Sequence, residues 1–295
     1  MNILNIGSIN IDYVYQMDHI VRPGETLASR DLVVAGGGKG ANQSLALGRA
    51  GVPVRHAGAV GTDGAWLVDT LAASGVDTRW IRRADVPTGQ AIIQVSLRTG
   101  ENAIILAGGA NRDLKMADIL PALDELQPGD IVLLQNEINL NRELITAAAS
   151  RKLAVCLNPA PFENTICNWA LDRVAMLILN EHEAAGLLGL AKWDPAAIHD
   201  LQARHPQAEL LVTMGSRGVI YRHGEESHWV PADKVKVVDT TAAGDTFIGY
   251  FLACRVRGLP VTEGLRLATR AAGLCVTRPG AMDSIPAWDD VAKPA

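Results

Sequence analysis

Little in this sequence points to a membrane, a disulfide framework or a polyanionic partner. The 295 residues include only four cysteines, Cys156, Cys167, Cys254 and Cys275, and no C-x-x-C pair. All four lie in apolar sequence. They read as buried, reduced thiols of a cytoplasmic protein rather than a disulfide or zinc site. The seven histidines make no H-E-x-x-H pattern; Glu181-His182-Glu183 shares only its composition. No apolar run approaches the roughly 18 residues of a membrane span, and the first residues, MNILNIGSINID, carry no basic leader region. Lys and Arg number 27 against 32 Asp and Glu, a formal net charge of −5 with no block of like charge. That balance disfavours nucleic acid or an anionic membrane as the main partner. A small anionic ligand needs only a local site and stays open.

What is present is a 48 % apolar chain, long enough to bury a large core. Short apolar runs alternate with helical patterns. Strands are expected over 3–9, 54–60, 131–135, 154–157, 176–179 and 210–214. Helices are expected over 41–50, 65–74, 142–151, 181–188, 246–256 and 263–277. Such alternation means βαβ units, hence an α/β fold with a mostly parallel sheet covered on both faces. The unbroken apolar run Ile131-Val132-Leu133-Leu134 fits a strand buried on both sides. Two stretches break the rhythm. Residues 11–32 hold Arg22-Pro23-Gly24-Glu25 between possible strands, and 90–107 read as a hairpin turning at Thr99-Gly100-Glu101-Asn102. They form either a small separate sheet, acting as a lid or a subunit contact, or an edge hairpin on the main sheet.

The most informative segment is Val237-Val238-Asp239-Thr240-Thr241-Ala242-Ala243-Gly244-Asp245-Thr246-Phe247. A strand is expected to end near Val238, followed by small residues and then Asp245 at the start of an apolar helix. The first-turn N–H groups of a helix lack helical partners and carry the positive end of its dipole, so they bind anions. On local chemistry Asp245 is either an N-cap or a carboxylate beside that anion site. A second segment, Ala35-Gly36-Gly37-Gly38-Lys39-Gly40-Ala41-Asn42-Gln43, opens a helix after a strand-like run. It has neither the P-loop spacing nor the dinucleotide frame.

Together these two segments resemble the signatures of the ribokinase-like (PfkB) carbohydrate kinases. Asp239, Thr241, Ala243, Gly244 and Asp245 match the C-terminal D-T-x-G/A-A-G-D core, and Gly37 to Gln43 match a G-G-K-G-A-N-Q form. Further matches follow in order: Gly7-Ser8-Ile9-Asn10-Ile11-Asp12, Leu134-Gln135-Asn136-Glu137, Asn158-Pro159-Ala160-Pro161, Asn180-Glu181-His182-Glu183, Thr213-Met214-Gly215-Ser216-Arg217-Gly218 and Thr277-Arg278-Pro279-Gly280-Ala281. The resemblance spans about residues 3–286.

The resemblance implies a Rossmann-like αβα core with a small β lid, made from about 11–32 and 88–110 and inserted into one kinase domain spanning 1–295. It implies a homodimer through the lid. It also implies transfer of the γ-phosphate of ATP to a sugar hydroxyl. Asp245 is then the base, and the backbone of Ala242, Ala243 and Gly244 is the anion cradle. Asn10, Asp12, Gly38, Lys39, Asn42 and Glu137 map to the sugar site. Asn180 and Glu183 support Mg²⁺ and its waters; Thr213, Gly215, Ser216, Arg217 and Gly218 contact the nucleotide. Thr269 stands near the adenine, where the family often has Asn or His. A K⁺ site would use Asp239, Ser284 and the carbonyls of Thr241, Cys275, Arg278 and Gly280. Asp12 and Glu137 accept hydrogen bonds from hydroxyls and repel phosphate, which favours a neutral sugar. The expected reaction is ribose to ribose 5-phosphate. Deoxyribose, another neutral sugar or a nucleoside remain alternatives, with a non-catalytic binding protein a more distant one.

Overall fold

The computed structural model describes residues 1–293. Its strands are β1 (Ile3–Ile6), β2 (Asn10–Met17), β3 (Asp31–Gly37), β4 (Val54–Val60), β5 (Val76–Arg83), β6 (Gly89–Ser96), β7 (Asn102–Ala107), β8 (Ile131–Gln135), β9 (Ala154–Asn158), β10 (Met176–Asn180), β11 (Glu209–Thr213), β12 (Val219–His223) and β13 (Glu226–Val230). The α-helices are α1 (Lys39–Arg49), α2 (Ala65–Ala73), α3 (Met116–Asp124), α4 (Asn141–Ser150), α5 (Glu181–Leu188), α6 (Ile198–Arg204), α7 (Ala243–Val256), α8 (Val261–Cys275) and α9 (Trp288–Ala292).

Nine strands make the main sheet, in the order β13-β12-β11-β10-β9-β8-β1-β4-β5. Neighbours from β11 through β5 are parallel, and the hairpin β12–β13 adds an antiparallel edge. Alternate strand residues feed two core layers. Leu4, Val132, Leu134 and Leu177 pack with Ile119 of α3, Leu144 of α4 and Leu201 of α6. Ile3, Leu133 and Ile178 pack with Leu45 of α1, Phe251 of α7 and Leu265 of α8. Both faces are covered, which is why these strands read as continuous apolar runs.

The chain leaves β1 toward β4 and β5, then returns to β8 on the other flank. In open α/β sheets the crevice at such a switch point, beyond the carboxyl ends of the strands, is where ligands bind. The segments that follow β1 and β8 here are Gly7-Ser8 and Asn136-Glu137.

A second sheet has four strands in the order β3-β2-β6-β7. The lid is therefore separate from the main sheet, and the edge-hairpin alternative is excluded. It is mixed: β2 and β6 run parallel, while β3 and β7 pair antiparallel at the two edges.

Three expectations are corrected. The strand expected over 3–9 stops at Ile6, because the backbone turns at Gly7 toward the lid; a Cβ there would meet the Gly40 backbone at 2.6 Å. No strand ends near Val238: 231–242 has no strand. Val238 and Asp239 donate instead to the carbonyl of Val276 at 2.8 and 3.2 Å. Cys167 is exposed, unlike the other three cysteines. It lies in a one-turn surface helix, Asn164–Asn168, which buries Ile166 instead. No helix among the described residues is long and apolar enough to cross a membrane.

Candidate active site

Asp245 lies in the first turn of α7 and is only 7 % exposed. Its two carboxylate oxygens are each held by a side-chain amide of α1. Asn42 Nδ2 donates to Oδ2 at 3.0 Å, and Gln43 Nε2 donates to Oδ1 at 2.8 Å. Asp245 is thus no N-cap; Ala242 occupies that position, with φ 61° and no side-chain cap bond. A left-handed alanine is strained by about 1 kcal/mol. The amide of Ala243 leans on the Thr240 carbonyl at 3.3 Å, and the amides of Ala242 and Gly244 have no partner among the described residues. A Cβ built on Gly244 would meet nothing within 4 Å. The helix start is an open cradle of donors with space for a ligand to approach, suited to an anion.

Two cavities meet at this cradle. One, about 510 Å³, lies under the lid and is lined by Asn10, Asp12, Lys39, Asn42, Glu137 and Asp245, with Ala91, Ile93 and Leu106 from the lid. The other, about 470 Å³, is walled by Val235, Val237, Phe247, Thr269 and Val276, with Gly215, Ser216 and Gly218 at its edge. Thr213, Thr240, Ala243 and Gly244 line both.

Each side chain of the first cavity is placed by a distinct element. Lys39 and Asn42 lie three residues apart in α1, so they share one face. Gly38 precedes them at φ 90°, where a Cβ would meet Asn10 N at 2.9 Å; only glycine fits this turn without strain. Glu137 follows β8, and its Oε2 accepts from Ser8 Oγ and from Lys39 N at 3.0 Å. Asp12 projects from β2, beside Gly37, whose missing side chain leaves room for its carboxylate. Asn10 Oδ1 accepts from Asn111 Nδ2 at 2.7 Å.

The electrostatics of this cavity are lopsided. Four lining carboxylates, Asp12, Glu137, Glu183 and Asp245, face one basic side chain, Lys39. Burial, then the charges of Glu137 and Asp245, push the Asp12 carboxyl up to about 7. Burial pulls the Lys39 ammonium down, but Asp245, Glu137 and Glu183 outweigh it and hold it above the ordinary lysine value. Asp12 Oδ1 and Asn42 Oδ1 are buried acceptors without a partner among the described residues. Unpaired acceptors beside an ammonium suit a neutral polyol and resist a second phosphate.

Asn180 and Glu183 form a capping box at the start of α5. Asn180 Oδ1 accepts from Glu183 N at 2.9 Å and Glu183 Oε2 accepts from Asn180 N at 2.8 Å. Both line the first cavity. Burial raises the Glu183 carboxyl, partly offset by the Asn180 N–H. No three His, Cys, Asp or Glu gather as a metal cluster among the described residues.

Asp239 ties the cradle to the C-terminal loop. Its Oδ1 accepts from Thr241 N and Oγ1 at 2.9 and 2.7 Å, and its Oδ2 from Gly280 N at 3.0 Å. Cys275 Sγ reaches Ser284 Oγ at 3.0 Å and the Thr241 carbonyl at 3.6 Å. The structure thus gathers Asp239, Thr241, Cys275, Gly280 and Ser284. The Arg278 side chain turns away to Asp290.

Arg217 does not line the second cavity; its side chain pairs with Glu181. Thr269 does line it, and its buried Oγ1 has no partner among the described residues. Sequence reasoning gave no role to Asn111, Ser8, Gln43 or Gln135. Ser8, Gln43 and Gln135 lie inside quoted motifs without a role of their own, and Asn111 lies outside all of them.

The sequence matches the profile of the pfkB family carbohydrate kinases over residues 2–288. This chain belongs to that family. It is 35 % identical to the ribokinase of Bacillus subtilis over 294 residues, covering 98 % of each chain. Its fold superposes on a ribokinase from Cryptococcus neoformans in complex with ADP with a TM-score of 0.84, at 34 % identity and 98 % coverage of both chains. An Arabidopsis thaliana ribokinase complexed with ribose and ATP gives a TM-score of 0.86 at 31 % identity, covering 98 % of this chain and 96 % of the other. The chain is therefore a carbohydrate kinase with an αβα core and a lid sheet.

Proposed function

We propose that this kinase transfers the γ-phosphoryl group of ATP to the primary hydroxyl of ribose, giving ribose 5-phosphate and ADP. The observation that carries this reading is Asp245, held by two amides where a polyol-type cavity meets a donor cradle. The sugar sits among Asn10, Asp12, Gly38, Lys39, Asn42 and Glu137, with the nucleotide in the second cavity. Asp245 accepts the proton of the attacking hydroxyl as the new O–P bond forms and the bond to the β-phosphate oxygen breaks. The amides of Ala242, Ala243 and Gly244 face the charge that develops on the γ-phosphoryl oxygens.

Mg²⁺ would be held through water by Asn180 and Glu183. Their oxygens already accept bonds from each other's N–H groups, which fits outer contact with a well-hydrated ion. Bound there, it would neutralise phosphate charge. K⁺ would be held by Asp239, Ser284 and the carbonyls of Thr241, Cys275, Arg278 and Gly280, an all-oxygen donor set suited to a hard cation. That loop ends at the cradle, so an ion there would steady Ala242 to Gly244.

ADP release across ribose, deoxyribose, fructose, nucleosides and fructose 6-phosphate, in K⁺ and in Na⁺, tests both points. Ribose is expected to give the highest kcat/KM, with faster turnover in K⁺. Preference for fructose 6-phosphate overturns the neutral-sugar reading, and equal rates in the two salts overturn the cation site.

Two copies pair through the lid. The edge strands β3 and β7 expose Leu32, Val33, Val34, Ile104, Ile105 and Leu106, all at least 44 % accessible. Exposed apolar edge strands invite pairing, and a charge there blocks it. Sedimentation equilibrium is expected to show a dimer for the natural chain and a monomer for Ile105→Lys. A natural chain that is monomeric at micromolar concentration would sink this part.

A further inference from the structure

A chain of buried side chains runs from His56 of β4 to Asp245. His56 Nε2 lies 3.2 Å from the Gly7 carbonyl, and its Nδ1 lies 2.8 Å from Ser44 Oγ. A carbonyl only accepts, so Nε2 carries the proton and Nδ1 accepts from Ser44. Burial pushes His56 down to about 4, which keeps the ring neutral. Ser44 Oγ, having given its proton to His56, accepts from Asn5 Nδ2 at 2.8 Å. Asn5 is thereby oriented, and its Oδ1 accepts from Gln135 Nε2 at 2.9 Å. The same Gln135 Nε2 donates to Gln43 Oε1 at 2.7 Å. Gln43 is left with its Nε2 turned to Asp245 Oδ1, with a second bond at 3.2 Å to Asn158 Oδ1. Each amide orientation follows from the one before, starting at a backbone carbonyl.

We infer that Gln43 is a positioning residue for the phosphoryl transfer, its amide aligned through Gln135 so that the Asp245 carboxylate presents a fixed lone pair to the sugar hydroxyl. The inference rests on the base role proposed for Asp245. Gln43 and Gln135 are both 0 % exposed and neither lines a cavity, so they act through Asp245 rather than on substrate. Stability does not explain them. Gln135 Oε1 is buried without a partner among the described residues, and a half-satisfied buried network is poorer than an apolar core. Asn42 holds the other carboxylate oxygen but lines the sugar cavity, so its grip changes as substrate binds. Gln43 is the anchor that substrate does not touch.

The test is steady-state kinetics of the full chain with ribose and Mg-ATP, for Gln43→Met, Gln135→Met, Asp245→Asn and their pairs. Gln43→Met should lower kcat by about 10- to 100-fold, the scale for partners that orient a reactive group, with the ribose KM nearly unchanged. Gln135→Met should lower kcat in the same direction and add nothing to Gln43→Met. In an Asp245→Asn background, Gln43→Met should have no further effect. A Gln43→Met enzyme with wild-type kcat overturns the inference. So does a raised KM at unchanged kcat, or a full additional loss in the Asp245→Asn background. Should Gln43→Met fail to fold, Gln135→Met, which makes no contact with Asp245, carries the test by the same criteria. Wild-type turnover by Asp245→Asn itself would instead reject the base role on which the inference depends.

Discussion

Asp245→Asn is expected to lower kcat by about 10²–10⁴, the usual contribution of a positioned general base, while ribose binding changes little. The geometry explains both halves. Binding of the sugar draws mainly on Asn10, Asp12, Lys39 and Glu137, none of which bonds to Asp245; of the sugar-site side chains only Asn42 does. Proton acceptance draws on the carboxylate alone. The substitution also leaves a mismatch. Asn42 Nδ2 and Gln43 Nε2 both point donors at this side chain, and an amide offers an acceptor to only one of them. The variant thus loses the base and gains an opposed pair of donors in a buried place, so some loss of thermal stability should accompany the kinetic loss. Calorimetric titration with ribose separates the two contributions. An Asn variant that binds ribose normally yet turns over within about tenfold of the natural enzyme would remove Asp245 from the base role.

The parts of this molecule legible in the sequence share a physical cause. Strands β4 and β8 and helix α5 lie where the apolar pattern put them, with residue-level agreement. Their residues are buried by near neighbours and their ends carry turn or cap residues such as Pro53, Gly61 and Asn180. Strand β5 escaped notice because it is the sheet edge. Its Arg79 and Arg83 are exposed and its half-buried Arg82 pairs with Asp113 and Asp118, so three arginines dilute the apolar signal. The stretch through Val235, Val237 and Val238 misled in the opposite sense. Its valines are apolar because they wall or border the second cavity, not because they sit in a strand. In the site, residues grouped in contiguous motifs were readable: Lys39 with Asn42, Asn180 with Glu183, and Ala242 through Asp245. The distant pairings between residues were not. Gln135 meets Gln43 across 92 positions and Asn111 meets Asn10 across 101. A buried amide looks like any other in sequence until the fold supplies its partner.

Asp12→Asn is expected to lower kcat/KM for ribose by about 10- to 100-fold, since hydrogen bonds to a charged acceptor contribute about 1.5–3 kcal/mol. The same substitution should raise the stability of the ligand-free protein at pH 8. The second effect follows from the position of the carboxyl. Burial beside Glu137 and Asp245 lifts it from 3.8 to about 7, so between about pH 4 and 7 the folded state holds a proton that the unfolded state has released. Stability from this group is then full below about pH 4 and falls as pH rises through about 7. At pH 8 the natural chain keeps an ionised carboxylate in a crowded acidic cavity; asparagine does not. The melting temperature of Asp12→Asn should exceed that of the natural chain at pH 8 and converge toward it near pH 5. Ribose hydroxyls donate to the ionised form, so binding should expel a proton near neutral pH. The natural enzyme's kcat/KM for ribose should fall as pH drops below about 7, a limb that Asp12→Asn lacks. An Asn variant that is less stable at pH 8, or equally fast on ribose, would show that Asp12 is a structural carboxyl. If both effects appear, the fold keeps a destabilising charge at this position because the sugar needs it there.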